Sequence, residues 1–185
     1  MKLDAQTPRG KNALKWARRG LRAWARDNPR YCYMQTNEET YADLDAVIGI
    51  PSVCFPKDVD TNVAAHMLYV SAEVDHVLEA KARDMTKEKF FGEYKGTWLV
   101  TYDKLKRCFD TAFSLRTNFY GLLVLIPDKV CYHRILAEYN EETGGLEWVV
   151  PFKVMETETQ KNINGGSALR ENAYIDMNGV DEIVI

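Results

Sequence analysis

Glu79 and Lys81 stand one residue apart in the segment Val74-Asp75-His76-Val77-Leu78-Glu79-Ala80-Lys81-Ala82-Arg83. Apolar and polar side chains alternate through Lys81, which predicts a strand. His76, Leu78 and Ala80 share one face; Asp75, Val77, Glu79 and Lys81 share the other. On such a strand the carboxylate and the ammonium point the same way, with Cβ atoms roughly 7 Å apart. Hard cations such as Mg²⁺ take oxygen ligands, commonly from one or two protein carboxylates. A lysine beside the ion can orient a water or steady the charge that develops on a phosphate. Glu79-x-Lys81 is therefore half of a metal-dependent phosphodiesterase site. Taken alone, the tripeptide is weak evidence and reads first as an exposed charge pair across strands.

The other half needs a second carboxylate. The run Tyr41-Ala-Asp43-Leu-Asp45-Ala-Val-Ile-Gly-Ile50 predicts a strand entered through two acids, with Asp43, Asp45 and Val47 on one face. A carboxylate at the mouth of an apolar strand must be paired, metal-bound or neutralised. Asp45 precedes Glu79 by 34 residues and Asp60 precedes it by 19, so both are candidates for the first acid. Asp45 is preferred because it lies inside a strand-forming run. Asp58, in Pro56-Lys57-Asp58, is placed in a loop spanning residues 51–66.

These groups need elements to hold them. Thr7-Pro8 opens a helix that Asp27-Asn28-Pro29 closes. Leu14, Ala17, Leu21, Trp24 and Ala25 form its apolar stripe, and Lys11, Lys15, Arg18, Arg22 and Arg26 form a basic ridge. Strands are expected at Tyr31–Thr36, Tyr41–Ile50, His66–Ser71, Val74–Lys81 and Thr97–Thr101. A short helix is expected from Lys87 and a longer one over Asp103–Arg116. Tyr120–Ile126 is continuously apolar, the pattern of a strand buried on both faces. Val130–Tyr139 is its antiparallel neighbour, and Leu146–Met155 is an edge strand interrupted by Pro151. The layout is α/β, a mixed sheet flanked by helices. Residues 1–30 form a basic N-terminal helix packed on the core, 31–158 the core itself, and 159–185 a C-terminal tail with short strands.

The chain has 185 residues, enough for one domain with a real core; 46% are hydrophobic and 28% charged. No apolar run approaches the roughly 20 residues that span a bilayer, and no secretion signal is recognised. Cys32, Cys54, Cys108 and Cys131 carry no metal or disulfide spacing, so reduced thiols and a cytoplasmic location are expected. The net charge of −3 divides into +7 over residues 1–30 and −10 over the rest. A basic arm on an acidic body fits a polyanionic partner, whose phosphate backbone the ridge can follow without reading sequence, and equally a solvated helix face that balances the acids of the body.

The Asp strand, the Glu-x-Lys strand, and the later Trp98-Leu-Val-Thr101-Tyr-Asp-Lys104-Leu leading into a helix and a Gly-Leu-Leu-Val-Leu strand together resemble the PD-(D/E)xK nuclease superfamily. Many of its small members are phage or mobile-element proteins. The resemblance covers roughly residues 40–140 and implies a restriction-endonuclease-like core and hydrolysis of DNA. It implies Mg²⁺, or Mn²⁺, held by Asp45 and Glu79 with the Ala80 carbonyl as a further oxygen. It makes Lys81 the catalytic lysine and Lys104 an auxiliary polar group from the helix. Lys11, Lys15, Arg18, Arg22, Arg26 and Arg83 would dock the nucleic acid, and a homodimer is a common way to cut two strands.

The competing function is a non-catalytic accessory module that keeps a nuclease-like fold and binds nucleic acid or protein. The intact Asp…Glu-x-Lys set favours the enzyme. His66, His76 and His133 are scattered and read as structural. Trp98 and Tyr102 flank the motif and are candidates for stacking on bases.

Overall fold

The computed structural model describes residues 7–35, 45–51, 72–159 and 168–185. The expected strand at 66–71 and the loop at 51–66 lie outside them. Helix α1 (Pro8–Asp27) begins with Thr7 Oγ1 accepting from the Gly10 N–H at 3.0 Å. It ends where the Asn28 side-chain amide donates to the Trp24 carbonyl at 2.8 Å. Leu21, Ala23 and Trp24 are buried against the sheet. A Cβ on Gly20 would lie 2.5 Å from Val124 Cγ2, so only glycine lets the helix approach this closely. The apolar stripe of α1 is therefore core, and Leu21 and Trp24 are not available to a dimer face.

Strands β1 (Cys32–Gln35), β2 (Ala46–Pro51) and β3 (Ala72–Arg83) form an antiparallel meander. The chain then runs through α2 (Lys87–Gly92), β4 (Thr97–Thr101) and α3 (Tyr102–Leu115). It returns as β5 (Asn118–Leu125), which is parallel to β3. Next come β6 (Val130–Asn140), β7 (Gly145–Trp148), β8 (Phe152–Thr159), β9 (Ala168–Asp176) and β10 (Glu182–Val184). The large sheet has the order β1-β2-β3-β5-β6-β10, with β7 also on β6, and is mixed; β4-β9-β8 is a separate antiparallel sheet. The architecture is mixed α/β.

Two expectations change here. The single strand expected over Leu146–Met155 is two strands, β7 and β8, that belong to different sheets. Pro151 offers no N–H to a ladder, and the chain changes sheets there. The segment read as a tail supplies the middle strand of the second sheet, with Ala173, Ile175 and Met177 buried.

β5 separates two cores. Phe119, Leu123 and Leu125 pack towards α3 and the second sheet, while Leu122 and Val124 pack towards α1. Each such side chain contributes roughly 1.5–3 kcal/mol on burial. This apolar bed holds β3 in register with β5, Glu79 opposite Gly121 and Lys81 opposite Leu123. It offsets the cost of taking the Glu79 carboxyl group out of water. Among the described residues no helix is long and apolar enough to cross a membrane.

Candidate active site

β2 begins at Ala46, paired with Leu78, whereas β3 runs on to Arg83. The last turns of the ladder thus open at Leu78, and Asp45 sits at that opening. Its N–H donates to the Leu78 carbonyl at 2.9 Å, and its Oδ2 accepts from the Ala80 N–H at 2.8 Å. A strand residue's N–H and C=O point to the same edge, so the Ala80 carbonyl also faces the Asp45 side.

Glu79 projects from the other side of the pleat to His76, towards α3, and is 1% exposed. Lys104, in the first turn of α3, links the two acids: its Nζ lies 3.0 Å from Asp45 Oδ1 and 2.7 Å from Glu79 Oε2. Two carboxylates 34 residues apart in sequence thus converge on one cation. Burial, joined by the Asp45 charge, pushes the Glu79 carboxyl up to about 8 against the pull of Lys104 and Lys81. Burial opposes the Lys104 ammonium, yet Glu79 and Asp45 together hold it above the ordinary lysine value.

Lys81 is exposed to solvent but ringed by protein, a position at the rim of the opening. That crowding lowers its pKa; Glu79 acts the other way, and Arg83 and Lys104 add to the depression. Asp45, Glu79, Lys81 and Lys104 therefore form one cluster. Asp43, Asp58, Asp60 and His66 lie outside the described residues.

The expected nucleic-acid ligands divide. Lys11, Lys15, Arg18 and Arg22 line the exposed side of α1. Arg26 is exposed but engaged: it bonds Asp27 at 2.8 and 3.4 Å and donates to the Val184 carbonyl at 2.9 Å. Arg83 is half-buried and donates to the Leu99 carbonyl at 2.8 Å, tying β3 to β4. Sequence reasoning missed Arg9, whose charge adds to the burial that lowers the Arg83 pKa. It also missed a shallow groove lined by Trp16, Arg19, Arg22, Arg26, Lys129 and Ile185. The signal was present, since Arg19 follows Trp16 by three residues on a helix and covers its ring at 4.6 Å.

Trp98 does not meet the expectation of base stacking. It is 1% exposed and fills the space above Gly121, where a Cβ would lie 2.3 Å from its ring. Tyr102 is half-buried against Phe152. Across the sheet from Glu79, His76 and His133 pack with Trp24, Tyr31 and Tyr120, and His76 Nδ1 meets Asp75 Oδ2 at 2.7 Å.

The donor set of the cluster is two carboxylates and a backbone carbonyl, hard oxygens suited to Mg²⁺ or Mn²⁺ with waters completing the shell. Among the described residues no group of three or more His, Cys, Asp and Glu side chains is arranged around a metal position. The Lys104 ammonium shows that the two acids share one cation-sized position. Compared with family models, with curated proteins and with solved structures, the chain matches none.

Proposed function

We propose that the chain is a metal-dependent nuclease of the PD-(D/E)xK type that hydrolyses phosphodiester bonds of DNA. One observation carries the reading: Asp45 and Glu79 converge on a single cation beside Lys81, at the point where β2 and β3 part. The order of α1, the β1–β2–β3 meander, a crossover through α2, β4 and α3, and then β5 parallel to β3 supports a restriction-endonuclease-like core. The exposed cations of α1 supply the positive surface that a DNA backbone requires.

Asp45, Glu79 and the Ala80 carbonyl would hold the Mg²⁺ or Mn²⁺, which neutralises phosphate charge and makes a bound water more acidic. The Ala80 N–H fixes the Asp45 carboxylate, so that one oxygen is aimed at the opening. Lys81 at the rim orients the attacking water and stabilises charge on the phosphate. Trp98, packed over Gly121 next to Glu79 in the β3–β5 ladder, is buried with it.

The test is supercoiled plasmid with Mg²⁺ or Mn²⁺, with Glu79→Ala, Lys81→Ala and a chelator as controls. Nicking that needs the metal and is lost in both variants supports the reading. An intact plasmid, together with a flat metal titration unchanged by Glu79→Ala, overturns it in favour of the non-catalytic binding module.

A further inference from the structure

The position of Lys104 says more about the site than an auxiliary role would. Asp45 presents two oxygens: Oδ2 is held by the Ala80 N–H at 2.8 Å, and Oδ1 is the one on which Lys104 Nζ sits, at 3.0 Å. The same Nζ lies 2.7 Å from Glu79 Oε2, and Glu79 is otherwise enclosed by the core. A divalent ion that bridges these two acids must lie about 2.0–2.2 Å from an oxygen of each. The ammonium already fills that gap, and two cations cannot share it. Lys104 is the third residue of α3, its side chain is 28% exposed, and its stem is long and flexible. It can leave for solvent without moving the helix.

We infer that Lys104 is a resident counter-cation of the site, and that a divalent ion binds by displacing its ammonium. This rests on the metal-dependent reading above. The lysine balances the Asp45 charge and bonds the Glu79 carboxyl in the metal-free protein, which lets the buried Glu79 fold with the site assembled. It sets the metal affinity by competition, so the site loads only where the ion outcompetes an internal ammonium. A lysine acting only on the phosphate predicts no such competition.

The test is a Mn²⁺ titration of wild type, Lys104→Met and Asp45→Asn, by calorimetry and by loss of the free-ion EPR signal, without nucleic acid. Removing a partly buried competing charge is expected to tighten Mn²⁺ binding by roughly tenfold in Lys104→Met. The variant should also melt lower than wild type in chelator and recover on adding Mn²⁺, whereas Asp45→Asn binds little. If wild type binds Mn²⁺ and Lys104→Met binds no tighter, the displacement inference fails while the metal site stands. If neither protein binds, both readings fall. Should Lys104→Met not fold, wild type alone decides by ¹⁵N NMR of its lysine ammonium groups. The Lys104 ammonium, protected in the metal-free protein, is expected to exchange faster with water once Mg²⁺ is bound; unchanged protection at saturating Mg²⁺ overturns the inference.

Discussion

Asp45 reaches across 35 positions of sequence to accept the Ala80 N–H at 2.8 Å, so a proposed metal ligand also closes the end of the β2–β3 ladder. The two roles separate by substitution. Asp45→Asn keeps an acceptor for Ala80 and is expected to stay within about 1 kcal/mol of wild type, whereas Asp45→Ala leaves that N–H unpaired and costs about 1–3 kcal/mol. Both variants should lose metal-dependent nicking. Urea unfolding beside the plasmid assay checks this. Equal destabilisation by the two variants would show that the charge, and not the hydrogen bond, holds the strand end.

Glu79 gives the metal-free protein a pH signature. Burial first, and Asp45 second, raise its pKa to about 8 in the folded chain, above the ordinary carboxylate value of the unfolded one. A raised carboxyl favours folding while it is protonated. Its contribution is therefore fully present below the unfolded pKa and is lost as pH rises through about 8. Glu79→Gln removes the ionisation while keeping the shape. In chelator, unfolding midpoints measured from pH 5 to pH 9 should fall more steeply for wild type than for Glu79→Gln. Parallel curves would mean that Lys104 keeps Glu79 ionised throughout.

The opposite face of β3 has the opposite sign. Burial pushes His133 down to about 3, with His76 adding to it, and burial lowers His76 against the pull of Asp75. Histidines kept neutral in the fold contribute stability above their unfolded pKa of 6.5, and lose it as pH falls from there towards 3. Trp24, Tyr31 and Tyr120 pack around them, Asp75 bonds His76, and Glu138 acts on Tyr120 beside His133. His133→Phe should reduce the loss of urea stability between pH 7 and pH 4.5, read by Trp fluorescence. An unchanged loss would assign acid sensitivity to the carboxylates instead.

Local patterns in the sequence reached the elements and stopped short of their meetings. The Leu21–Trp24 stripe marks α1, the unbroken Leu122–Leu125 run marks β5, and alternation marks β3, because in each case burial repeats with the element's own period. The second sheet is harder. β9 is buried only from Asn172 on, and its exposed Leu169, Arg170 and Glu171 read as tail. Glu79 and Lys81 declare themselves as a pair two residues apart. The joining of Asp45 to Lys104, 59 residues away, depends on a parallel crossover that no local period encodes. Trp98 misled for a related reason: its fate is decided by Gly121 on another strand. The resemblance to a nuclease family supplied what periodicity lacked, by proposing which distant residues belong together.

The outer side of α1 supplies a test that does not require cleavage. Arg19 and Arg22 line the groove with Trp16 and Lys129, while Arg26, in the same groove, is already bonded to Asp27 and the Val184 carbonyl. A cation that neutralises a DNA phosphate adds about 0.9 to the slope of log affinity against log salt. In a Glu79→Gln background with chelator, so that nothing is cut, Arg19→Ala with Arg22→Ala should lower that slope by about 2. Arg26→Ala should change it far less, because Asp27 already neutralises its charge at the surface. Fluorescence anisotropy of a labelled duplex over 50–300 mM salt, roughly five points per protein, gives the slopes. If Arg26→Ala lowers the slope as much as the double variant, the ion pair with Asp27 opens on binding and the ridge acts as one continuous track. If neither changes it, the DNA does not lie in this groove.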